Sequence, residues 1–264
     1  MIAMSGPLVK VQVHGAAGTI LLNRPEKRNA LSRAMLTEVS QALDDLHLER
    51  RARAVVIVGA GSSFCAGMDL AEMQATSQAD DPHAQWQADA TQYRDLIEQM
   101  WRYPKPIIAA VNGPAMAGGM GLVLASDLAI AARSASFGLP EPLRGIVAGM
   151  VSPLLMFRLG GAHAARLLLT AQPIDAAEAL RIGLVSELVG EDQIWARAAQ
   201  LAEQIARCAP EAVQLSKRML NETIGESLPM LLSAGAAASA TARTTEAAAE
   251  GLAAFREKRE PKWP

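Results

Sequence analysis

Two glycine-rich loops are the segments of this sequence whose residue types could do chemistry. The first loop, GAGSSFCAGMDL, covers 59–70, and the second, NGPAMAGGMG, covers 112–121. Small residues let the backbone come close to a ligand, and the first turn of a helix leaves N–H groups without partners. Two such N–H groups aimed at one point form an oxyanion hole, which stabilises a developing negative charge on oxygen. The spacing alone leaves open that the glycines serve only tight turns and helix packing.

Other catalytic and binding motifs are not supported. Gly59-x-Gly61 resembles the start of a dinucleotide-binding motif, but Phe64 occupies the position of its third glycine. The sequence has no phosphate-binding loop motif and no G-x-S-x-G nucleophile elbow. Cys65 and Cys208 are the only cysteines and belong to no cluster of metal-ligand type. We therefore predict neither a disulfide framework nor a metal site.

The composition is that of an ordinary globular protein. The chain has 264 residues, of which 50% are hydrophobic and 20% charged, and at about 150 residues per domain this predicts one large domain or two small ones. The net charge is −2 and the basic residues are scattered, so we expect no nucleic-acid partner. We also expect no membrane partner, because the sequence has no run of about 18 apolar residues. The first residues lack the pattern of a signal peptide, which predicts a cytoplasmic protein.

Short apolar runs predict an α/β fold that places both loops at the ends of strands. The runs 54–58 and 107–111 are typical of buried strands, and each is followed by one of the glycine loops. A hairpin is predicted over 8–13 and 18–23, a further strand over 127–132, and helices after Ser32 and over 120–125. From about Met150 the pattern becomes helical, with no convincing strand after Val185. The Ala-rich stretch 234–250 also favours helix.

The segment 71–90 is polar and contains Pro82. This composition predicts a mobile loop or a broken helix rather than core, and such a segment could cover a pocket.

Five segments occur in order along the chain: NRPEKRNALS (23–32), FCAGMDL (64–70), AVNGPAMAGGMGL (110–122), FGLPE (137–141) and AFREKREPKW (254–263). Through these segments the chain resembles the enoyl-CoA hydratase/isomerase family of the crotonase superfamily over nearly its whole length. The resemblance implies a spiral of strand-strand-helix turns over 1–200 with an acyl-CoA site, and a helical trimerisation region over 201–264. It implies acyl-CoA thioester substrates, as in fatty acid metabolism, and no cofactor besides the coenzyme A of the substrate. It also implies a homotrimer or a dimer of trimers.

The resemblance also implies roles for individual residues. By motif position, the backbone amides of Met68 and Gly118 would form the oxyanion hole. Coenzyme A would lie along Arg28 and Ala66, Asp69 and Leu70 would line the acyl side, and the motif with Phe255 and Lys258 would reach the nucleotide. Ala71 stands where several relatives have a lysine, so we expect one phosphate contact to be missing.

The sequence departs from the hydratases of this family at one carboxylate. Those enzymes use two glutamates for general acid and base catalysis; one of them is present as Glu141, but the position of the other is Gly121. A lone carboxylate favours a 1,3 proton shift, which is double-bond isomerisation, or other non-standard chemistry.

Two alternatives remain open. Hydration would need a second acid or base, and the candidates lie on the segment 71–90: Glu72, Asp80, Asp81, His83 and Asp89. The chain could instead be a CoA-binding scaffold without activity. Met150 and Val151 replace glycines found in relatives and predict a reshaped, more apolar acyl pocket, so the length of the acyl chain is not predicted.

Overall fold

The computed structural model describes residues 7–78, 80–222 and 227–263. The strands are β1 (Val9–His14), β2 (Ala17–Leu22), β3 (Ala54–Gly59), β4 (Ile107–Val111), β5 (Ala115–Met116), β6 (Leu128–Ala132), β7 (Ser136–Gly138), β8 (Ile174–Asp175) and β9 (Glu187–Val189). The helices are α1 (Arg33–Leu48), α2 (Leu70–Ser77), α3 (Pro82–Arg102), α4 (Gly118–Ala125), α5 (Val151–Thr170), α6 (Ala176–Arg181), α7 (Ile194–Ala206), α8 (Pro210–Glu222), α9 (Leu228–Ala242) and α10 (Glu246–Glu257). Helix α5 is kinked at Gly160.

The larger sheet has the strand order β1-β2-β3-β4-β6-β9, and the smaller one β5-β7-β8. In the larger sheet only β1 and β2 are antiparallel, and the other neighbours are parallel. Strands β3 and β4 are buried along their whole length, because helices cover both faces of the sheet, as parallel sheets require. The carboxyl ends of parallel strands meet at one edge, so the loops that follow β3 and β4 start side by side.

The hairpin and the helices α1 and α4 fold close to what the sequence predicts. The predicted hairpin is formed by β1 and β2, and His14 and Ala17 are the paired residues next to its turn. Helix α1 begins after Ser32, whose hydroxyl accepts a hydrogen bond from the N–H of Met35. Helix α4 begins at Gly118, two residues before the predicted start, so the second glycine loop itself forms its first turn.

One prediction about the secondary structure was wrong, and another was wrong in part. Strand β9 follows Val185 and pairs with β6 at the edge of the large sheet, but its three residues are too few to show a period in sequence. The segment 71–90 is a broken helix, as one alternative held, but part of it belongs to the core. Pro82 is the first residue of α3, a position that tolerates proline, and Trp86 and Ala90 are buried.

The last helices pack against the rest of the chain. Leu228, Leu232 and Ala236 of α9 belong to the main apolar core, and α9 lies along α3. In α8, the buried Lys217 Nζ lies 2.7 Å from Asp127 Oδ2, beside the start of β6. Among the described residues, no helix has the length and apolar character needed to cross a bilayer.

Candidate active site

Three short backbone pairings bring the two glycine loops and the FGLPE segment together. Leu31 pairs with Met68, Cys65 pairs with Ala115, and Met116 pairs with Gly138. These pairings link 23–32, the first loop, the second loop and β7 in one continuous row at the carboxyl edge of β3 and β4. The residues that the sequence singled out in these four separate segments are therefore neighbours in the fold.

The N–H group of Met68 is left free by the way Leu31 pairs with the first loop. Leu31 N–H donates to the carbonyl of Gly67 at 2.8 Å, and Asp69 N–H donates to the carbonyl of Leu31 at 3.0 Å. Successive N–H groups in extended backbone point to opposite sides, so the N–H of Met68 points away from Leu31. It donates to no acceptor in the described part of the chain.

The N–H group of Gly118 is likewise free among the described residues, because it opens helix α4. Ala117 directly before it has φ +52° and ψ −124°, a conformation that costs a residue with a Cβ about 1–3 kcal/mol. Gly67 lies against this turn: a methyl group there would be 3.1 Å from the amide nitrogen of Gly118 and 2.6 Å from Ala117 Cβ. The backbone before Met68 and the amide of Gly118 are therefore in close contact, and two such donors can hold one partly negative oxygen.

Glu141 is a buried carboxylate without a hydrogen-bond partner for one oxygen. It begins a short 3-10 turn over Glu141–Arg144, and its side chain is only 7% exposed. Oε2 receives no hydrogen bond from any described residue. Burial raises the pKa of this carboxyl to about 7, since water no longer stabilises the charge. A carboxyl with this pKa can both take and return a proton near neutral pH.

Helix α10 covers the turn that carries Glu141. The guanidinium of Arg144 lies 4.4 Å from the ring centre of Phe255. A methyl group at Gly251 would be 2.4 Å from the carbonyl carbon of Arg144, and one at Gly145 would be 2.3 Å from the carbonyl oxygen of Ala247. The backbones of the turn and the helix thus touch, which two glycines permit.

The other residues predicted to bind coenzyme A or to line the acyl side lie partly at this edge. The carbonyl of Arg28 accepts a hydrogen bond from the N–H of Ala66 at 3.0 Å, so the two segments are adjacent, and the Arg28 side chain is exposed. Leu70 is half-buried at the start of α2. Lys258 is exposed where α10 ends, in a left-handed conformation.

The Asp69 side chain is held by the protein itself. Its Oδ1 accepts hydrogen bonds from the N–H groups of Ala71 and Glu72, and its Oδ2 lies 2.5 Å from Arg24 Nη1. Burial acts to raise the pKa of this carboxyl, but the hydrogen bonds from Arg24 and Ala71 outweigh burial and lower the pKa. Asp69 therefore anchors the chain directly after Met68.

The five acid or base candidates on 71–90 are engaged elsewhere or exposed. The Glu72 carboxylate accepts a hydrogen bond from the backbone N–H of Arg33. Asp89 forms an ion pair with the Arg33 guanidinium at 2.6 Å. Asp81 accepts a hydrogen bond from Ala84 N–H at the start of α3. Asp80 and His83 are exposed. The carboxylates of Glu72, Asp81 and Asp89 therefore already have partners within the protein.

Tyr93 is a site residue that the sequence analysis missed. Its hydroxyl donates a hydrogen bond of 2.6 Å to the carbonyl of Gly118. The signal was present, since Trp86, Ala90, Tyr93 and Ile97 recur at helical spacing after Pro82. A cavity of about 980 Å³ lies elsewhere, between the end of α3 and α8, and none of the predicted site residues lines it.

Comparison with known proteins agrees with this arrangement. The family model described as enoyl-CoA hydratase/isomerase matches residues 13–264. A Thermus thermophilus protein, provisionally named an enoyl-CoA hydratase, is 39% identical over 254 residues, or 96% of this chain and 100% of that protein. The short-chain-enoyl-CoA hydratase of Clostridium acetobutylicum is 34% identical, with 95% of each chain covered.

Solved structures show the same fold. The crystal structure of carnitinyl-CoA hydratase from Mycobacterium avium is 37% identical and matches with a TM-score of 0.84, covering 98% of this chain and 99% of that one. An enoyl-CoA hydratase/isomerase structure from Xanthobacter autotrophicus Py2 is 30% identical and matches with a TM-score of 0.87, covering 95% and 93%. The predicted crotonase fold is confirmed, and the chain belongs to the enoyl-CoA hydratase/isomerase family.

Proposed function

We propose that this chain isomerises a double bond in an acyl-CoA thioester, with Glu141 as its single proton carrier. The observation that carries the proposal is the buried Glu141 oxygen without a protein partner, on a carboxyl whose pKa is raised to about 7. The free N–H groups of Met68 and Gly118 support it, because they would hold the thioester oxygen while it carries negative charge.

The proposed reaction is a balanced 1,3 proton shift. The Glu141 carboxylate removes a proton from C2 of a 3-enoyl-CoA, and the electron pair moves onto the thioester oxygen to give a dienolate. The oxygen is stabilised there by the two backbone donors. Glu141 then returns the proton at C4, which leaves a 2-enoyl-CoA and the original carboxylate. No water is consumed and no cofactor beyond the substrate's own coenzyme A is part of the proposal.

The test is the ultraviolet absorbance of the conjugated product. Purified protein is mixed with 3-enoyl-CoA of several acyl lengths, and a rise in absorbance from the conjugated 2-enoyl thioester is expected. No rise at any length would contradict isomerisation.

Hydration is the second candidate, because the relatives named above carry hydratase names. It would add water to a 2-enoyl-CoA and abolish the conjugated absorbance. The placement of Glu72, Asp81 and Asp89 on protein partners argues against it. Loss of absorbance with 2-enoyl-CoA, together with no isomerisation, would favour hydration. Binding of acyl-CoA without exchange of the C2 proton in heavy water would favour the scaffold alternative.

Lys258 and the segment around Arg28 are proposed to bind coenzyme A, with Phe255 beside them. Replacing Lys258 by alanine is expected to raise KM about three- to fivefold and to leave kcat unchanged, because an exposed charge pair is worth up to about 1 kcal/mol. The KM effect should shrink as salt is added. Lys10→Ala on β1, also exposed, is the matched control. An equal change of KM in both variants would show that Lys258 does not bind coenzyme A.

We propose further that the helical region 201–264 mediates assembly into a trimer or a dimer of trimers. Leu215, Met219 and Met230 are 58%, 72% and 65% exposed in the single chain, and apolar groups of this size are commonly covered by a partner. Light scattering is expected to give a mass three or six times that of the chain, and a monomer would contradict the proposal. A cytoplasmic location stays a prediction.

A further inference from the structure

Tyr93 is a buried hydroxyl that the proposed proton shift does not use. It lies on α3 and is only 1% exposed. Its Oη lies 2.6 Å from the carbonyl oxygen of Gly118, the residue whose N–H opens α4. The ring also lies against Gly118 itself, since a methyl group at that glycine would be 3.5 Å from it.

The Tyr93 hydroxyl occupies the space that a side chain at Gly121 would need. A Cβ at Gly121 would be 2.0 Å from Tyr93 Oη and 3.2 Å from Val151 Cγ2. Gly121 lies inside α4 and is not among the residues with positive φ, so the backbone conformation does not require glycine there. The close approach of Tyr93 Oη requires glycine there. A carboxylate at position 121 and the observed Tyr93 position exclude each other.

We infer that Tyr93 is a positioning residue that holds the Gly118 amide in the orientation needed to bind the thioester oxygen. The direction of that N–H depends on the torsions of Ala117 and Gly118. The Ala117 carbonyl is held by the N–H groups of Met120 and Gly121, and the Gly118 carbonyl is held by Tyr93. Gly118 has no side chain to limit its torsions, so the Tyr93 hydrogen bond adds a restraint to the one that the first turn of α4 supplies. The inference rests on the proposed function.

The charge state of Tyr93 suits this role. Burial raises its pKa well above the usual value, and the neighbouring Cys65 and Glu141 raise it further. The phenol therefore stays protonated at neutral pH and always donates to the carbonyl.

The test compares Tyr93→Phe with Tyr103→Phe in binding and turnover. Tyr103 is also buried, and its hydroxyl donates to the carbonyl of Leu43 at 2.7 Å, which makes it a matched control away from the site. The probe is butyryl-CoA carrying an isotope label at its thioester carbonyl. Hydrogen bonds to that oxygen lower its stretching frequency, which isotope-edited infrared spectroscopy measures in the bound state.

The wild type and Tyr103→Phe are expected to show the same lowered frequency. Tyr93→Phe should lose at least half of the lowering, and its kcat for 3-enoyl-CoA should fall about tenfold, as for one hydrogen bond. Its KM should stay within twofold. An unchanged frequency in Tyr93→Phe, with a lowered one in wild type, would overturn the role of Tyr93 and leave the proposed function standing. No lowering in wild type would overturn the oxyanion hole itself.

A second variant keeps the inference testable if Tyr93→Phe does not fold. Gly121→Ala leaves the tyrosine in the chain but places a methyl group where its hydroxyl lies. We expect the same partial loss of frequency lowering. A folded Gly121→Ala protein with the wild-type frequency would contradict the inference.

Discussion

Replacing Glu141 by glutamine should lower kcat for 3-enoyl-CoA isomerisation by about a hundred- to ten-thousand-fold, the range that general acid and base groups contribute. Glutamine keeps the size of the side chain but cannot take a proton. Binding of acyl-CoA should therefore remain within about threefold of wild type. The measurement is the initial rate of absorbance increase, with the binding constant determined separately by titration.

The same residue is expected to set the pH dependence of the proposed reaction. The base form is the carboxylate, so the wild-type rate should rise as the pH passes through about 7 and level off above it. The residual rate of Glu141→Gln should show no such rise. Glu191→Gln, a change at an exposed glutamate, is the control and should keep the wild-type profile. A Glu141→Gln protein with full activity would show that another group is the base.

As the pH rises, the contribution of Glu141 to the free energy of unfolding should fall, whereas the reaction rate should increase. The Glu141 pKa is raised from 4.5 to about 7 in the folded state, so the folded protein holds this proton more tightly than the unfolded chain does. Its contribution to the free energy of unfolding is full below pH 4.5 and is lost as the pH rises to 7. The shift corresponds to about 3 kcal/mol. Glu141→Gln should therefore be more stable than wild type at pH 8, with the difference disappearing near pH 4.

Replacing Gly67 by alanine should lower kcat at least about a hundredfold, the loss that follows removal of one oxyanion donor. Gly67 has φ +91°, and the new methyl group would lie 2.6 Å from Ala117 Cβ and 2.9 Å from the carbonyl oxygen of Met116. The two loops must separate to admit it, which moves the amides of Met68 and Gly118 apart. We also expect the free energy of unfolding to fall by about 2–5 kcal/mol, from backbone strain together with overpacking.

Gly183→Ala separates the two effects of that substitution. Gly183 has φ +79°, and a methyl group there would meet no atom within 4 Å. This control carries the backbone strain without the steric contact, so it should lose about 1 kcal/mol of stability and keep wild-type kcat. Urea unfolding and steady-state rates on both variants give the comparison. A Gly67→Ala protein with kcat within threefold of wild type would show that the two loops do not form the site together.

Much of the site's framework could be predicted from sequence because its signals are local. The runs 54–58 and 107–111 are short, apolar and followed by glycine, which is enough to predict buried strands and ligand-facing loops. Ser32 as a helix cap is equally local. The family segments then supply Met68, Gly118 and Glu141 by position, although their meeting in space depends on pairings such as Met116 with Gly138, which no local pattern indicates.

The features that sequence did not reveal depend on distant contacts. The positive φ of Ala117 runs against the preference of alanine, and the surrounding pairings impose it. Tyr93 lies on a helix whose start at Pro82 reads locally as a break. The proposed role of Tyr93 follows from its packing against Gly118 and Gly121 of α4. No local pattern in the sequence indicates that α3 and α4 are in contact. Strand β9 forms because it pairs with β6, and its own three residues do not indicate a strand.

The contact between α10 and the Glu141 turn has a consequence for protein synthesis. The ribosome makes the turn long before it makes Gly251 and Phe255, which cover it in the finished fold. Until those residues emerge, Arg144 and Gly145, which follow Glu141 in the turn, lack the helix that packs against them. The turn that carries Glu141 thus reaches its final packing only after α10 has been translated and docked. A messenger cut short before α10 would yield a chain that has all the strands of the large sheet but leaves the Glu141 turn without its covering helix.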